Sequence, residues 1–460
     1  MGYIEEDLSS YKKWQILYKI LLITTAICIV ICCGISIKRR IFIPIILLPI
    51  ALESVFFLNR ANRIYINNLS IIICNIVFFC RYAFYPVTVM LSLDEAYKYA
   101  TNAEVVNLMI YELIAVNFII AFKAKKLNYD GDKNREQSGQ LGIVSLLLIG
   151  TMFLAILFEP SLINRFSLSI TTNKSNDAVS TINTLFQMGL WSTIVCLITS
   201  LQHKEKKSRA YYINFLFATM VCIYFLLFNM VSSSNIHRWK IIIGCLSLGY
   251  LLMESFPAHK KVIVRVATIG VILGVFFGTF AKFDTRVNIA DFANTYVGSY
   301  RNLDEYFSGV RNIQFGLDMI KSTPESQTII STLTDFFSGM PIVSRFFSEG
   351  TKNSSIIMYQ AFTGRKDIIC PLLIQSIAHF GKIGAPMMSM IMMCLAIDFN
   401  CLLKRTKSMY VAFVCIEATF YCSLFMGLNT MIIMGVVWIR LIYIILMRFN
   451  IPVCFGSKGR

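Results

Sequence analysis

The sequence predicts an all-α, polytopic membrane helix bundle of about twelve spans. Three observations predict it. Hydrophobic residues make up 56% of the 460 positions and charged residues 15%, against roughly 25% charged in an average soluble domain. Apolar stretches long enough to cross hydrocarbon recur along the chain, and in lipid each must be a helix because every main-chain N–H and C=O has to be satisfied internally. The 43 Lys and Arg residues outnumber the 26 Asp and Glu. They gather in short clusters between apolar stretches, which is the positive-inside topology signal and not the solvated basic face that nucleic acid requires.

Spans are expected near 16–35, 41–58, 67–90, 104–122, 141–158, 182–200, 211–230, 239–254, 264–282, 383–403, 410–427 and 430–447. Residues Met1 to Tyr18 carry Glu5, Glu6 and Asp7 ahead of the first apolar run, unlike a cleaved signal peptide, so that span is expected to stay. Basic clusters fall at Lys123 to Arg135, at Lys204 to Arg209, at His259-Lys-Lys261 with Arg265, at Lys404-Arg405 with Lys407, and in the tail from Arg448. Placing them inside puts both termini in the cytoplasm and a polar interval outside. Lys38-Arg39-Arg40 disagrees, which leaves two readings of residues 36–60: a frustrated first hairpin, or a segment with Pro44, Pro49 and Glu53 that does not fully cross. The organisation expected is membrane helices over 1–282, an external loop over 283–382, and membrane helices with a cytoplasmic tail over 383–460. The 14 cysteines lie mostly inside apolar runs without metal spacing and read as small hydrophobes.

The polar interval separates this chain from a plain carrier. Leu303, Phe307, Val310, Ile313, Leu317 and Ile320 recur at three- and four-residue steps and predict an amphipathic helix, and Ile329, Leu333, Phe336 and Phe337 predict a second. Such helices lie on the bilayer surface or cap the bundle. Ile368 to Phe380 is apolar but short for a span, and is expected to be re-entrant or interfacial. Apolar content this high marks a folded loop.

Candidate chemistry rests on a few polar residues. Arg81, in Phe78-Phe-Cys-Arg-Tyr-Ala-Phe-Tyr-Pro86, is either an intramembrane ion pair or a phosphate clamp, for which a planar five-donor fork is suited. His237 and Arg238 close the turn Ser232-Ser-Ser-Asn-Ile-His-Arg238 between two spans, a place for a wet pocket. Arg311 is a surface residue of the loop helix or a substrate contact. Arg365, Lys366 and Asp367 sit where the loop returns to the membrane, followed by His379. Asp367 is a base or hydroxyl-orienting group, or simply a helix cap. Glu417 and Arg440 lie at matching depths either side of the turn near Leu428, and read as a structural ion pair. Glu112 and Asn117 are buried polar positions without an assigned role. The sequence lacks a Gly-rich phosphate loop, an H-E-x-x-H and a G-x-S-x-G, so no metal or cofactor is expected.

Together, Arg81-Tyr-x-x-x-Pro86, the turn ending at Arg238, Gly309-Val-Arg-Asn312, and the loop closure with Asp367-Ile-Ile, Pro371, Gln375, Phe380-Gly381 and Pro386 resemble O-antigen and oligosaccharide repeat-unit polymerases of the Wzy type. Such families often carry Asp-Gln where this chain has Asp367-Ile368. The resemblance implies a fold like that of lipid-dependent membrane glycosyltransferases. It implies joining of undecaprenyl-diphosphate-linked oligosaccharide units into surface polysaccharide, O-antigen or capsule, at the outer face of the bacterial cytoplasmic membrane. Arg81, Arg238, Arg311 and Arg365 would hold diphosphate, and Asp367, His379 or His237 would serve the acceptor hydroxyl. Partners implied are the lipid-linked oligosaccharide, the bilayer, a chain-length regulator and a flippase, with no nucleic acid. O-antigen ligase and polysaccharide flippase or other transporter are the alternative readings.

Overall fold

The computed structural model describes residues 16, 19–31, 33–34, 68–84, 102–127, 139–162, 179–202, 208–231, 238–280, 307–323, 329–337, 340, 343, 354–364 and 368–452. Within them the regular structure is helical, apart from a single antiparallel bridge between Gly142 and Pro452. The helices are α1 (Lys19–Ile31), α2 (Leu69–Phe79), α3 (Ala103–Leu127), α4 (Ile143–Phe158), α5 (Val179–Ser200), α6 (Arg209–Val231), α7 (Arg238–Ser255) and α8 (Lys260–Phe280). They continue with α9 (Val310–Ser322), α10 (Ile329–Phe337), α11 (Ser355–Thr363), α12 (Leu372–Phe380), α13 (Met387–Arg405), α14 (Met409–Ser423) and α15 (Thr430–Met447).

Five helical stretches among the described residues are long and apolar enough to cross a membrane: Ala103–Lys123, Thr181–Ser200, Arg209–Leu227, Lys382–Arg405 and Thr430–Met447. Shorter apolar helices occupy Lys19–Ile31, Leu69–Tyr82, Ile143–Phe158, Ile241–Ser255 and Met409–Ser423. The span expected over 41–58 lies outside the described residues. The chain is an all-helical membrane protein, and its surfaces fit that solvent. On α3, Val105, Met109, Glu112, Leu113, Val116 and Ile120 are buried, while Tyr111, Ile114, Phe118 and Phe122 form an exposed apolar stripe at helical spacing. Hydrocarbon outside the protein makes such a stripe cost nothing, where water would not.

The chain folds as two compact units. The first comprises Met1–Tyr129, Asn288–Cys401 and Thr419–Val436. Here α2 starts after Asn68, whose side-chain oxygen accepts a bond from Asn400 of α13 at 2.8 Å, both residues being buried. The helix then passes into a π turn over Cys80–Phe84, the kind of single-turn insertion that re-aims a side chain within a helix. Helix α9 packs on α3, α11 and α12. Gly316 of α9 faces Ile374 of α12 so closely that any Cβ there would collide with that side chain.

Within the described residues, the amphipathic stripe foreseen from Leu303 onward is broken just before Val310, and Leu303 itself lies outside them. Phe307 and Ser308 form a turn, Ser308 has φ of 48°, and Gly309 precedes the first helical residue. A left-handed residue cannot continue an α-helix. The Ser308 hydroxyl donates to the Met426 carbonyl at 2.5 Å, which offsets part of the strain. Val310, Ile313 and Leu317 are buried as the stripe requires. That stripe packs on protein, so α9 caps its own unit.

The second unit comprises Asp130–Val287, Leu402–Ala418 and Val437–Arg460. Gly189 lets α5 approach the Leu148 carbonyl of α4 in direct contact, a small-residue packing typical of helices in lipid. Ser145 at the start of α4 donates its amide to the Asn450 side chain at 2.9 Å. Arg440 donates from Nε at 3.1 Å and from Nη2 at 2.6 Å to Glu417, and its guanidinium lies 4.7 Å from the Trp191 ring centre. The intramembrane pair expected from the matching depths of these two residues is present.

Candidate functional site

The described part of the polar interval folds around one carboxylate. Asp335 sits near the end of α10, and its burial is complete. Ser354, the N-cap of α11, donates to Asp335 Oδ1 at 2.5 Å, and Ser355 donates to Oδ2 at 2.5 Å. His379, in the last turn of α12, places Nε2 at 2.9 Å from the same Oδ2. Both partners' side chains are wholly buried, so what exposure His379 retains is main-chain. Three elements therefore converge on one acid.

Each placement has a local reason. The carboxylate lies at the start of α11, where the helix dipole favours negative charge, and the imidazole at the end of α12, where it favours positive charge. Ser354 is a standard cap whose Oγ also accepts from the Ile356 amide at 3.3 Å. A buried carboxylate is tolerated only when its lone pairs are met, and here three donors meet them. As an acceptor the carboxylate takes the hydrogen that His379 carries on Nε2. Both hydroxyls point to the acid and not to the imidazole, so this is no serine-nucleophile triad. Cys370 is fully buried beside it, and burial first, then the Asp335 charge, hold its thiol well above the usual range. That is the setting of a structural thiol, since reactivity needs the thiolate.

Neighbouring bonds fix the frame. Tyr359 of α11 donates to the Asn312 carbonyl at 2.9 Å and meets its side-chain oxygen, while Asn312 Nδ2 donates to the Ile369 carbonyl at 3.2 Å. Gln375 of α12 is fully buried, and its Oε1 accepts from the Thr430 amide at 3.1 Å and from the Thr430 hydroxyl. Pro371 precedes α12, and Gly381 ends it with φ of 70° and ψ of −179°, a region essentially closed to other residues. Pro371, Gln375, Gly381 and Asn312, all part of the sequence resemblance, thus have structural work of their own.

The expected site residues part company. Arg81 is 1% exposed and donates to Glu112 of α3 at 2.5 Å, while the other oxygen of Glu112 takes the Ser389 hydroxyl. Of the two readings of Arg81 the structure displays the ion pair, and Glu112 gains the role it lacked. Arg311 is half-buried, its guanidinium 5.0 Å from the ring centre of Phe315 one turn on. Arg238 is the first residue of α7. His237, Arg365 and Asp367 lie outside the described residues. His379 is the expected catalytic residue that the structure sets in a polar network. Its partner Asp335 went unread, although a lone acid in Ile329-Ile-Ser-Thr-Leu-Thr-Asp-Phe-Phe337 is a signal that a buried partner exists.

Among the described residues no three His, Cys, Asp or Glu side chains group as a metal site. The fold and the cluster define an all-helical membrane protein with a buried acid–imidazole pair in its polar interval. Comparison with models of known families, with curated proteins and with solved structures finds no match.

Proposed function

We propose that the protein is a polysaccharide repeat-unit polymerase, a metal-independent glycosyltransferase of about twelve spans acting at the outer face of the bacterial cytoplasmic membrane. The growing chain leaves its undecaprenyl diphosphate and its anomeric carbon bonds to a hydroxyl of the incoming lipid-linked unit. The hydroxyl proton passes to a base, and lipid diphosphate departs. The observation that carries this reading is the Asp335–His379 pair, set within the interval that follows α8 and precedes α13. A carboxylate-held imidazole is the common form of a general base, and a carrier has no need of one in a folded loop.

The departing diphosphate needs cations and no metal. With the Arg81 charge taken by Glu112, we assign diphosphate binding to Arg238, Arg311 and Arg365, and acceptor activation to His379, with Asp367 and His237 as secondary candidates. The test supplies purified protein with lipid-diphosphate repeat units and resolves products by chain length. A ladder is expected. Movement of single units across vesicles without a ladder would replace this reading with a carrier, and transfer only to a non-repeat acceptor would replace it with a ligase.

A further inference from the structure

The imidazole assigned above as the base is shut away from any substrate. The His379 side chain has no exposure at all, whereas a base has to come within hydrogen-bond reach of the proton it takes. For His379 to work, a neighbour of its ring has to give way.

The groups around the ring are not alike. Asp335, Ser354, Ser355 and Cys370 are all buried, and an opening at Asp335 would break its bonds to Ser354, Ser355 and His379 together. That route is costly, because each bond to a buried carboxylate is worth about 1.5–3 kcal/mol. Phe380 differs. Its ring lies edge-on to the imidazole with the ring centres 6.1 Å apart, and yet the residue is 39% exposed. It joins the buried imidazole to the surface.

Local structure braces the stem of Phe380 and leaves its ring at the surface. Phe380 is the last residue of α12, and Gly381 turns the chain aside, so no further helical turn covers it. The turn Lys382–Gly384 then folds back until Gly384 lies against the Phe380 Cβ, where any side chain on Gly384 would collide. Two contacts hold this turn to α3: Lys382 Nζ lies 2.6 Å from Glu104 Oε1, and the Tyr111 hydroxyl donates to the Ile383 carbonyl at 2.9 Å. With the main chain held, the ring can move only by side-chain rotation. Exposed side chains rotate in picoseconds to nanoseconds, far faster than turnover at about 1–1000 per second. Lys321 also reaches Glu104, at 3.8 Å, and charges so placed mark this end of α12 as its polar boundary.

We propose that Phe380 is the gate of the His379 base. Its ring covers the imidazole at rest and swings aside on a fixed main chain, and an acceptor sugar that displaces it brings a hydroxyl to the imidazole. The gate serves glycosyl transfer only if His379 is the base proposed above, but its opening is measurable without any transfer.

The test treats the full chain in mild detergent with diethyl pyrocarbonate, which carbethoxylates accessible imidazole, and reads the rate at His379 by peptide mass spectrometry. Wild type is expected to react slowly, and Phe380→Ala about tenfold faster while its thermal transition shows it folded. Leu333→Ala, at an exposed position of α10, should leave the rate as it is. Absence of labelling in folded wild type, an unchanged rate in Phe380→Ala, or equal acceleration by Leu333→Ala overturns the gate. Should Phe380→Ala not fold, Phe380→Leu decides, since it keeps an apolar stem and removes the ring. An unaltered rate in that variant overturns the gate as well. A ladder from wild type together with unaltered labelling sinks the gate alone, and faster labelling in a protein whose wild type gives no ladder sinks the polymerase reading alone.

Discussion

His379 Nε2 faces Asp335 Oδ2 at 2.9 Å, with both side chains withdrawn from solvent. The same acid receives Ser354 and Ser355, so it organises three helix ends. Asp335→Asn turns an amide group toward at least one donor. We expect it to cost about 2–3 kcal/mol, and Ser355→Ala about 1 kcal/mol, read as lowered unfolding temperatures in detergent. If polymerisation runs through His379, a His379→Gln protein that remains folded will give no ladder. A folded His379→Gln protein with a full ladder removes this residue from the chemistry.

Arg81 and Glu112 form a buried pair, and such pairs are costly to break from one side. Arg81→Met or Glu112→Leu alone should each lose about 3–5 kcal/mol because the other charge is left behind. The double substitution should recover most of that loss. Chain-lengthening by the stable double variant separates the two roles of Arg81. A retained ladder means a strut, and a lost ladder in a stable protein means that the guanidinium also serves substrate.

The contact of Gly316 with Ile374 allows α9 and α12 to touch. Gly316→Val should destabilise by about 1–3 kcal/mol through overpacking, and Ile374→Ala should relieve part of it in the double variant. Equal stability of Gly316→Val and wild type in thermal unfolding would show that α9 can lift from α12 at no cost.

Glu417 and Arg440 give the transport reading its own trial. Arg440→Met should cost about 3–5 kcal/mol and Glu417→Gln with Arg440→Met considerably less. A structural pair leaves the ladder of the double variant intact. Abolished activity with unchanged stability would instead mark the pair as a working proton site.

What the sequence made legible follows from the solvent. Hydrocarbon forces helices, so the stretches expected over 430–447 and 182–200 reappear as α15 and α5 within a few residues. Glu417 and Arg440 were readable because two helices joined by a short turn fix relative depth. Glu112 was not, since its partner comes from a helix that a π turn rotates at Arg81. The break before α9 was not foreseen because an apolar period says nothing of a left-handed residue such as Ser308. Asp335 was overlooked because its partners stand 19, 20 and 44 residues away, and none is close enough in sequence to suggest a cluster.

Helix α12 carries a consequence for the order of assembly. It has nine residues, about 13 Å of helix against a hydrocarbon core of about 30 Å, so it cannot be inserted as a membrane segment in its own right. Its buried Gln375 meets Thr430, which lies 55 residues later at the head of α15. During synthesis the amide oxygen therefore keeps its bonds to water until α15 has been delivered, and α12 gains this contact only then. Chains released before residue 430 would lack the partner that lets Gln375 leave water, the kind of local defect by which quality control distinguishes an unfinished membrane protein from a finished one.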